Sequence, residues 1–560
     1  MPIATLARYF HTVRHLRPVQ VWGRLRFRMA RPRPDLRPAP SLRAARAVWV
    51  RCARRASMTG PATLRALGVE RTIARAADWN RADWPKLWLY HAHYFDDLAA
   101  SDADSRAAWH RDLVARWIAE NPAGQGNGWE PYPLSLRIVN WIKGALAGSA
   151  LDDATRESLA VQARYLRARL EVHLLGNHLW ANAKALVFAG AYFDGREADA
   201  WREHGFALLR RELAEQVLAD GGHFELSPMY HALILEDLLD LVQLGRTFPD
   251  AVAAGDVARW RETAARMLHW LRVMSHPDGE IALFNDAAMD AAPAAGALAR
   301  YAQALGVAVG SEPLPDLVVL SESGYVRLAA GPAVLIVDVA KVGPDYLPGH
   351  AHADTLSFEL SLAGRRVLVN GGTSTYEADA QRLRERGTPM HNTATVDGAN
   401  SSEVWASFRV ARRAKPFDLR FGRGDDGALW VEAAHDGYLR LPGRVVHRRR
   451  WELRPGGLDV IDTIEGRCSE AVARFRFAPG LGVERGGGAL RSGSGDEGGA
   501  SAVAGSVNGS AVPLRWSCEG AGAAAVEHGT WHPRFGASEA VEVLAVALRH
   551  EPLRTSFTWS

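Results

Sequence analysis

Cysteine is scarce. Cys52, Cys468 and Cys518 are the only three in 560 residues, and they lie far apart. No Cys-x-x-Cys or zinc-finger spacing exists, so neither a disulfide framework nor a thiolate metal module is expected to organise the chain. Uninterrupted apolar runs of eighteen residues are absent as well, so no membrane span is expected. Acid is missing from the start of the chain: Asp35 is the only carboxylate side chain in residues 1–60, a stretch otherwise rich in arginine. No apolar stretch there is long enough for a secretory signal core, so a cleaved leader is not expected, and the compartment stays open between cytoplasm and cell envelope. Self-similarity at a fixed period is also lacking. The overall formal charge is only +4, compatible with an anionic partner without demanding one; nucleic acid is not expected.

What is present divides into three textures. Residues 1–79 read as a basic helical arm and linker. Ile3 to Met29 has mixed helical periodicity broken by arginines, and Arg31-Pro32-Arg33-Pro34 with Arg37-Pro38-Ala39-Pro40 reads as extended chain. The arm either packs on the body or meets an anionic polymer or membrane surface. Residues 80–312 are helical, with apolar residues at i, i+3 and i+4 in segments such as Leu134–Leu146, Leu179–Tyr192 and Met229–Leu244. Many such helices joined by short turns suggest antiparallel hairpins closed into a toroid or solenoid. Near Gly310 the period changes to two. Residues 313–560 carry alternating or apolar strands, among them Ala333–Val339, Leu356–Leu362, Arg448–Leu453 and Val541–Leu548, as in an antiparallel β-sandwich. Residues 480–526, rich in glycine, serine and alanine, read as long loops. The fold class is therefore α+β and multidomain.

Four clusters place polar side chains where the periodicity would allow apolar ones. They are Gly128-Trp129-Glu130-Pro131-Tyr132-Pro133 with Arg137 and Asn140; Gly176-Asn177-His178-Leu179-Trp180-Ala181-Asn182; Gly221-Gly222-His223-Phe224-Glu225-Leu226-Ser227-Pro228-Met229-Tyr230-His231; and Gly349-His350-Ala351-His352-Ala353-Asp354, joined to Asn370-Gly371-Gly372-Thr373 and Met390-His391-Asn392-Thr393. In this order, from about residue 85 to 415, they resemble the heparinase II/III-like polysaccharide lyases. That resemblance implies an N-terminal (α/α) toroid, a C-terminal β-sandwich, and cleavage of a uronate-containing acidic polysaccharide by β-elimination.

The chemistry accounts for the residue types. A uronate C5 proton is weakly acidic until its carboxylate is neutralised, which amide or imidazole groups can do. A base must then take that proton and an acid must protonate the departing O4. By resemblance, Asn177 falls at the carboxylate-neutralising position, His178 where some relatives keep a catalytic histidine, Tyr230 at the catalytic tyrosine, and His350 across the cleft. Glu225 and His231 would support them, and Trp129, Tyr132, Arg137 and Asn140 would form sugar subsites. The nineteen tryptophans add aromatic surface suited to sugar rings, although most are expected in the core.

His352 and His391 resemble structural metal ligands, for zinc or another divalent ion, but Asn370 stands where relatives have an aspartate. A neutral amide is a poorer ligand, and His391 could instead face the cleft. Two rival readings remain from the residues alone. A glycoside hydrolase would need a carboxylate pair from Glu130, Glu225 and Asp354. A non-catalytic protein of a surface-polysaccharide system would need neither acid nor base. Oligomeric state and the identity of the polymer are not legible.

Overall fold

The computed structural model describes residues 3–149, 151–486, 503–549 and 551–560. The basic segment folds as two helices, α1 (Ile3–Val13) and α2 (Pro18–Met29), because Pro18 fits the first turn of a new helix but could not continue an old one. Nine further helices follow: α3 (Lys86–Tyr94), α4 (Ala107–Glu120), α5 (Pro131–Leu146), α6 (Asp153–Ala168), α7 (Gly176–Tyr192), α8 (Arg196–Gln216), α9 (Pro228–Thr247), α10 (Ala254–Val273) and α11 (Ala295–Ala304).

Burial alternates along this series. Helix α7 buries fifteen of its seventeen residues, whereas α8 buries nine of twenty-one. Helices α5 and α9 are buried nearly all round like α7, while α6, α8 and α10 keep polar outer faces. The result is an inner layer of apolar helices wrapped by an outer amphipathic layer, the double ring of an (α/α) toroid. Close approach of α7 and α8 depends on two glycines: a Cβ on Gly190 would lie 2.5 Å from the Ala198 carbonyl, and one on Gly205 would lie 2.7 Å from Val187 Cγ2. Buried charges also tie the inner layer together. Lys184 Nζ from α7 reaches Asp240 at 2.7 Å, and Lys143 Nζ from α5 reaches the same carboxylate of α9 at 2.9 Å.

After α11 the described residues form antiparallel strands, with one short α-helix, α12 (Ala380–Glu385), and a 3-10 turn at Thr388–Met390 among them. A five-stranded meander (Leu317–Leu320, Tyr325–Ala330, Ala333–Asp338, Phe358–Leu362, Arg365–Leu368) pairs in sequence order. Its third strand is apolar from Ala333 to Val337, ending in a buried Asp338, because both faces are covered. Leu335 and Val337 join Phe358, Trp451 and Phe475 in the sandwich core, while Val334 and Ile336 pack on Trp270, Val273 and Met274 at the end of α10. This seam fixes the sandwich against the toroid. An eight-stranded sheet, a four-stranded sheet and a two-stranded ribbon (Val404–Trp405 with Arg409–Val410) make up the rest of the β part among the described residues.

The toroid-plus-sandwich architecture is the expected one, with three local corrections. Residues 58–72, read as arm and linker, form a small three-stranded sheet (Met58–Gly60, Thr63–Ala66, Val69–Thr72). The stretch 480–526 is not simply loop: Gly482–Arg485, Val503–Asn508, Leu514–Glu519 and the start of Ala521–Trp531 are strands. Leu514, Trp516 and Cys518 point inward with polar residues between them, a period of two concealed by the small-residue composition. Residues 487–502 lie outside the described residues. Finally, the strand expected from Leu356 begins at Phe358, because Leu356 adopts a left-handed φ of 63°.

Candidate active site

Four chain segments meet where the toroid rim faces the sandwich. Two are helix starts. Ser227 caps α9, its hydroxyl accepting the Tyr230 N–H at 3.2 Å, and Pro228 occupies the first turn, so Tyr230 sits one turn into a rigid helix. Gly176 and Asn177 begin α7. The third segment is the loop Asn285-Asp286 after α10, and the fourth is the approach to the strand Phe358–Leu362 that carries His350. Leu175, Leu226 and Asn285, each next to or near a site residue, are held at φ of 61°, 59° and 56°. Such conformations persist only where the surroundings impose them. For Leu226 and Asn285 they are held by hydrogen bonds: Asn285 Nδ2 donates to Leu226 O at 3.0 Å, and its Oδ1 accepts from the His352 N–H at 3.0 Å, clamping toroid to sandwich.

The rings of Tyr230 and His350 are in contact, centroids 4.0 Å apart and planes tilted by 35°. His350 Nδ1 contacts Asp286 Oδ2 at 2.9 Å. Asp286 is fully buried, receives two hydrogen bonds from Arg382, one of them 2.6 Å, and meets His352 Nε2 at 2.8 Å. Burial alone would raise this carboxyl, but Arg382 with both imidazoles holds it well below the ordinary carboxylate range. An ionised Asp286 accepts only, so His350 carries its proton on Nδ1 and presents the lone pair of Nε2 to the cleft. On that side Glu225 Oε2 is 3.6 Å away, too far for a hydrogen bond. Glu225 is buried, neither carboxylate oxygen has a well-formed partner, and burial pushes its pKa up.

Asn177 borders the same space. Its backbone N–H faces Glu225, while its partly exposed side-chain amide makes no hydrogen bond within the described residues. His178 stacks at 4.5 Å on Tyr132, and its Nδ1 is 3.2 Å from Glu171 Oε2. Burial would lower this imidazole, but Glu171 outweighs it and raises the pKa above the ordinary value. The Tyr230 hydroxyl shares a 3.2 Å hydrogen bond with that of Tyr376, and burial holds both phenols well above their usual pKa. The cleft thus holds a neutral phenol, an oriented imidazole lone pair, a free amide and a histidine biased towards its cation.

Other candidates are placed elsewhere. Trp129 packs among Trp117 and Tyr165 in the core. Arg137 is wholly buried, its guanidinium 3.7 Å from the Trp117 ring and its Nε donating to Gln162 Oε1 at 3.0 Å. Asn140 donates to Tyr94 O and Asp96 Oδ1. None of the three faces the cleft as a sugar subsite: Trp129 is buried in the turn before α5, and α5 turns Arg137 and Asn140 into the toroid, while Tyr132 at its start packs on His178 at the cleft. Arg137→Ala is therefore expected to cost about 2–5 kcal/mol of stability, as large-to-small changes in a packed core do, while leaving KM unchanged. Thermal melting beside steady-state kinetics checks this; a raised KM at unaltered Tm would return Arg137 to the substrate. His231 is also buried, stacked on Trp270 and bonded to Met267 O at 2.9 Å, so it supports the α9 start without touching the cleft. Of the carboxylates considered for hydrolysis, Glu130 is bound to Lys86 and Tyr90, and Asp354 accepts from the Asn285 N–H inside the clamp.

His352 and His391 do meet, Nδ1 to Nε2 at 3.3 Å. Their neighbours among the described residues are committed elsewhere. Asn370 spends its amide on Ser357 Oγ and the Asn392 N–H, and the far nitrogen of His352 faces an aspartate already paired with Arg382. Among the described residues no group of three or more His, Cys, Asp or Glu side chains could hold a metal. Two imidazoles beside a committed amide do not fit a structural zinc site.

Sequence reasoning missed Asp286, Arg382, Tyr376 and Glu171. Asp286 had one signal, two polar residues closing the apolar run Ile281–Phe284; the others had none.

Residues 312–560 match the family described as heparinase II/III-like, C-terminal, and residues 152–307 match heparinase II/III N-terminus. A heparin-sulfate lyase of Pedobacter heparinus is 28% identical over 324 residues, 51% of this chain and 47% of the relative. One from Bacteroides stercoris is 26% identical over 263 residues, 42% of this chain and 38% of the relative. The chain thus spans about half or less of the length of these relatives. Among solved structures, a heparinase III superposes with a TM-score of 0.64 at 18% identity, covering 88% of this chain and 79% of that one. A heparan sulfate lyase mutant from Pedobacter heparinus gives 0.59 at 18%, covering 89% and 81%.

Proposed function

The chain belongs to the heparinase II/III-like family, and from that premise we propose that it cleaves an acidic, uronate-containing polysaccharide by β-elimination, leaving a 4,5-unsaturated uronate on the new non-reducing end. The observation that carries the reading is the packing of Tyr230 on an His350 whose tautomer is set by buried Asp286.

The roles follow from the protonation states. A phenol whose pKa is raised by burial keeps its proton at neutral pH, so Tyr230 has one to give and protonates the departing O4. His350, with Nε2 unprotonated, removes the C5 proton. The free Asn177 amide and His178, biased towards its cation by Glu171, bind the substrate carboxylate, and they bind more strongly as charge builds towards the enolate-like state. Tyr376, bonded to Tyr230, can return a proton to it from solvent. The bond to O4 breaks as the C4–C5 double bond forms, and no water is consumed.

A panel of acidic polysaccharides, followed by the ultraviolet absorbance of the conjugated product, tests this reading. Absorbance growing with chain cleavage supports it; new reducing ends without that absorbance would mean hydrolysis. The same reading requires no metal at His352 and His391. Purified protein is expected to hold far less than one equivalent of zinc there, with melting unaffected by a chelator. Stoichiometric zinc lost on His391→Ala would overturn that part.

A further inference from the structure

The arm is bound to the body by one face only. Gln20 Nε2 donates to Tyr346 O at 3.0 Å, Gly23 packs on His173, where a Cβ would come within 3.1 Å, and the Phe27 ring lies 4.4 Å from the His173 ring. Arg17 pairs with Glu215 at 2.5 Å, and Trp405 Nε1 donates to Thr12 on α1 at 3.1 Å. Helix α2 is therefore held firmly in one orientation.

Its opposite face is apolar and open. Val21 is 62%, Trp22 63%, Leu25 56% and Met29 70% exposed. At about 100° per residue these four fall within an arc of roughly 100°, directly away from Gln20, Gly23 and Phe27. Arg26 flanks the arc on one side, and Arg24 and Arg28 on the other. None of these three pairs with a carboxylate among the described residues. Helix α1 repeats the pattern, with Leu6, Phe10 and Val13 exposed on one face and no acid.

From this arrangement we infer that the arm docks the protein, peripherally, on an anionic lipid bilayer. An apolar stripe with a tryptophan and flanking arginines is the form of a helix lying in the interface, its stripe among acyl chains and its cations at phosphate level. Charge decides among the possible occupants. A second copy would bring arginine against arginine, and an acidic glycan would satisfy the arginines but leave Val21, Trp22, Leu25 and Met29 wet. The contacts of α2 with His173 and Tyr346 put it beside the segments leading to Asn177 and His350, so a docked arm would hold the cleft near the membrane surface.

The test uses the full chain in flotation with vesicles of phosphatidylcholine alone and of phosphatidylcholine mixed with phosphatidylglycerol. Binding is expected to the mixed vesicles, to be weak on the neutral ones, and to fall with added salt. Trp22→Glu with Leu25→Glu should weaken it by roughly 10²-fold or more, since apolar burial is lost and like charge is introduced. Arg24→Gln, Arg26→Gln and Arg28→Gln together should weaken it by roughly 10²-fold, with melting temperatures of both variants unchanged. Failure of the native chain to float with anionic vesicles would overturn the inference, as would equal flotation of either variant. So would a solution dimer that Trp22→Glu dissociates, or loss of acidic-polysaccharide binding by the arginine variant with flotation intact.

Discussion

Tyr230→Phe lowers turnover by about 10²-fold or more on a substrate cleaved by elimination, with melting and circular dichroism unchanged; single-turnover kinetics on the purified variant is the check. The substitution keeps the ring that packs on His350 and removes only the hydroxyl, whose one hydrogen bond among the described residues is to the Tyr376 hydroxyl at 3.2 Å. That bond joins two neutral hydroxyls and is only part-buried, so its loss is structurally cheap, on the order of 1 kcal/mol. The chemical loss is larger because O4 must otherwise leave as an alkoxide. KM should change little, since the proton is transferred only in the transition state. Near-native turnover would exclude Tyr230 as the acid.

Asp286→Asn is expected to damage both stability and rate. Asp286 is the carboxylate ion-paired with Arg382, and both are fully buried. Removing one partner of a buried pair typically costs about 3–5 kcal/mol, because the other charge is left in a low-dielectric site. An asparagine would also turn an N–H towards either Arg382 or an imidazole N–H, where only acceptors fit. His350 then loses the anchor that fixes its tautomer, and turnover should fall by about 10²-fold or more, beyond what partial unfolding explains. Denaturant unfolding beside the pH–rate profile separates the two effects. The native carboxyl lies below its ordinary value of 3.8, so its stabilising contribution is complete above that pH and is lost only as pH falls through the lower, folded value. In Asp286→Asn that acid-side transition should disappear. An unchanged stability would contradict the pairing.

The large architecture was legible because each half repeats one periodic signal. Met229–Leu244 has helical spacing and a serine cap, and Val541–Leu548 has the period of a strand. The three-stranded sheet at 58–72 was not legible because its strands are three or four residues long and largely exposed, so hydrophobic burial leaves no pattern. The site followed the same division. Asn177, Tyr230 and His350 stood out as polar residues at helix starts and before a strand. Asp286 did not, because its meaning lies in His350 and Arg382, 64 and 96 residues further on. Arg137 misled for a related reason: a cation at helical spacing looks like a ligand for acid, and only packing shows it stacked on Trp117.

Cleavage carried out in water enriched in heavy oxygen, followed by mass spectrometry of the fragments, is the most direct measurement. Elimination breaks the bond between C4 and O4 without consuming water, so neither new end gains heavy oxygen beyond slow exchange at the reducing carbon, and the new non-reducing fragment is lighter by one water than its hydrolytic counterpart. Fragments with a saturated uronate end and one heavy oxygen per cleavage would contradict β-elimination by Tyr230 and His350.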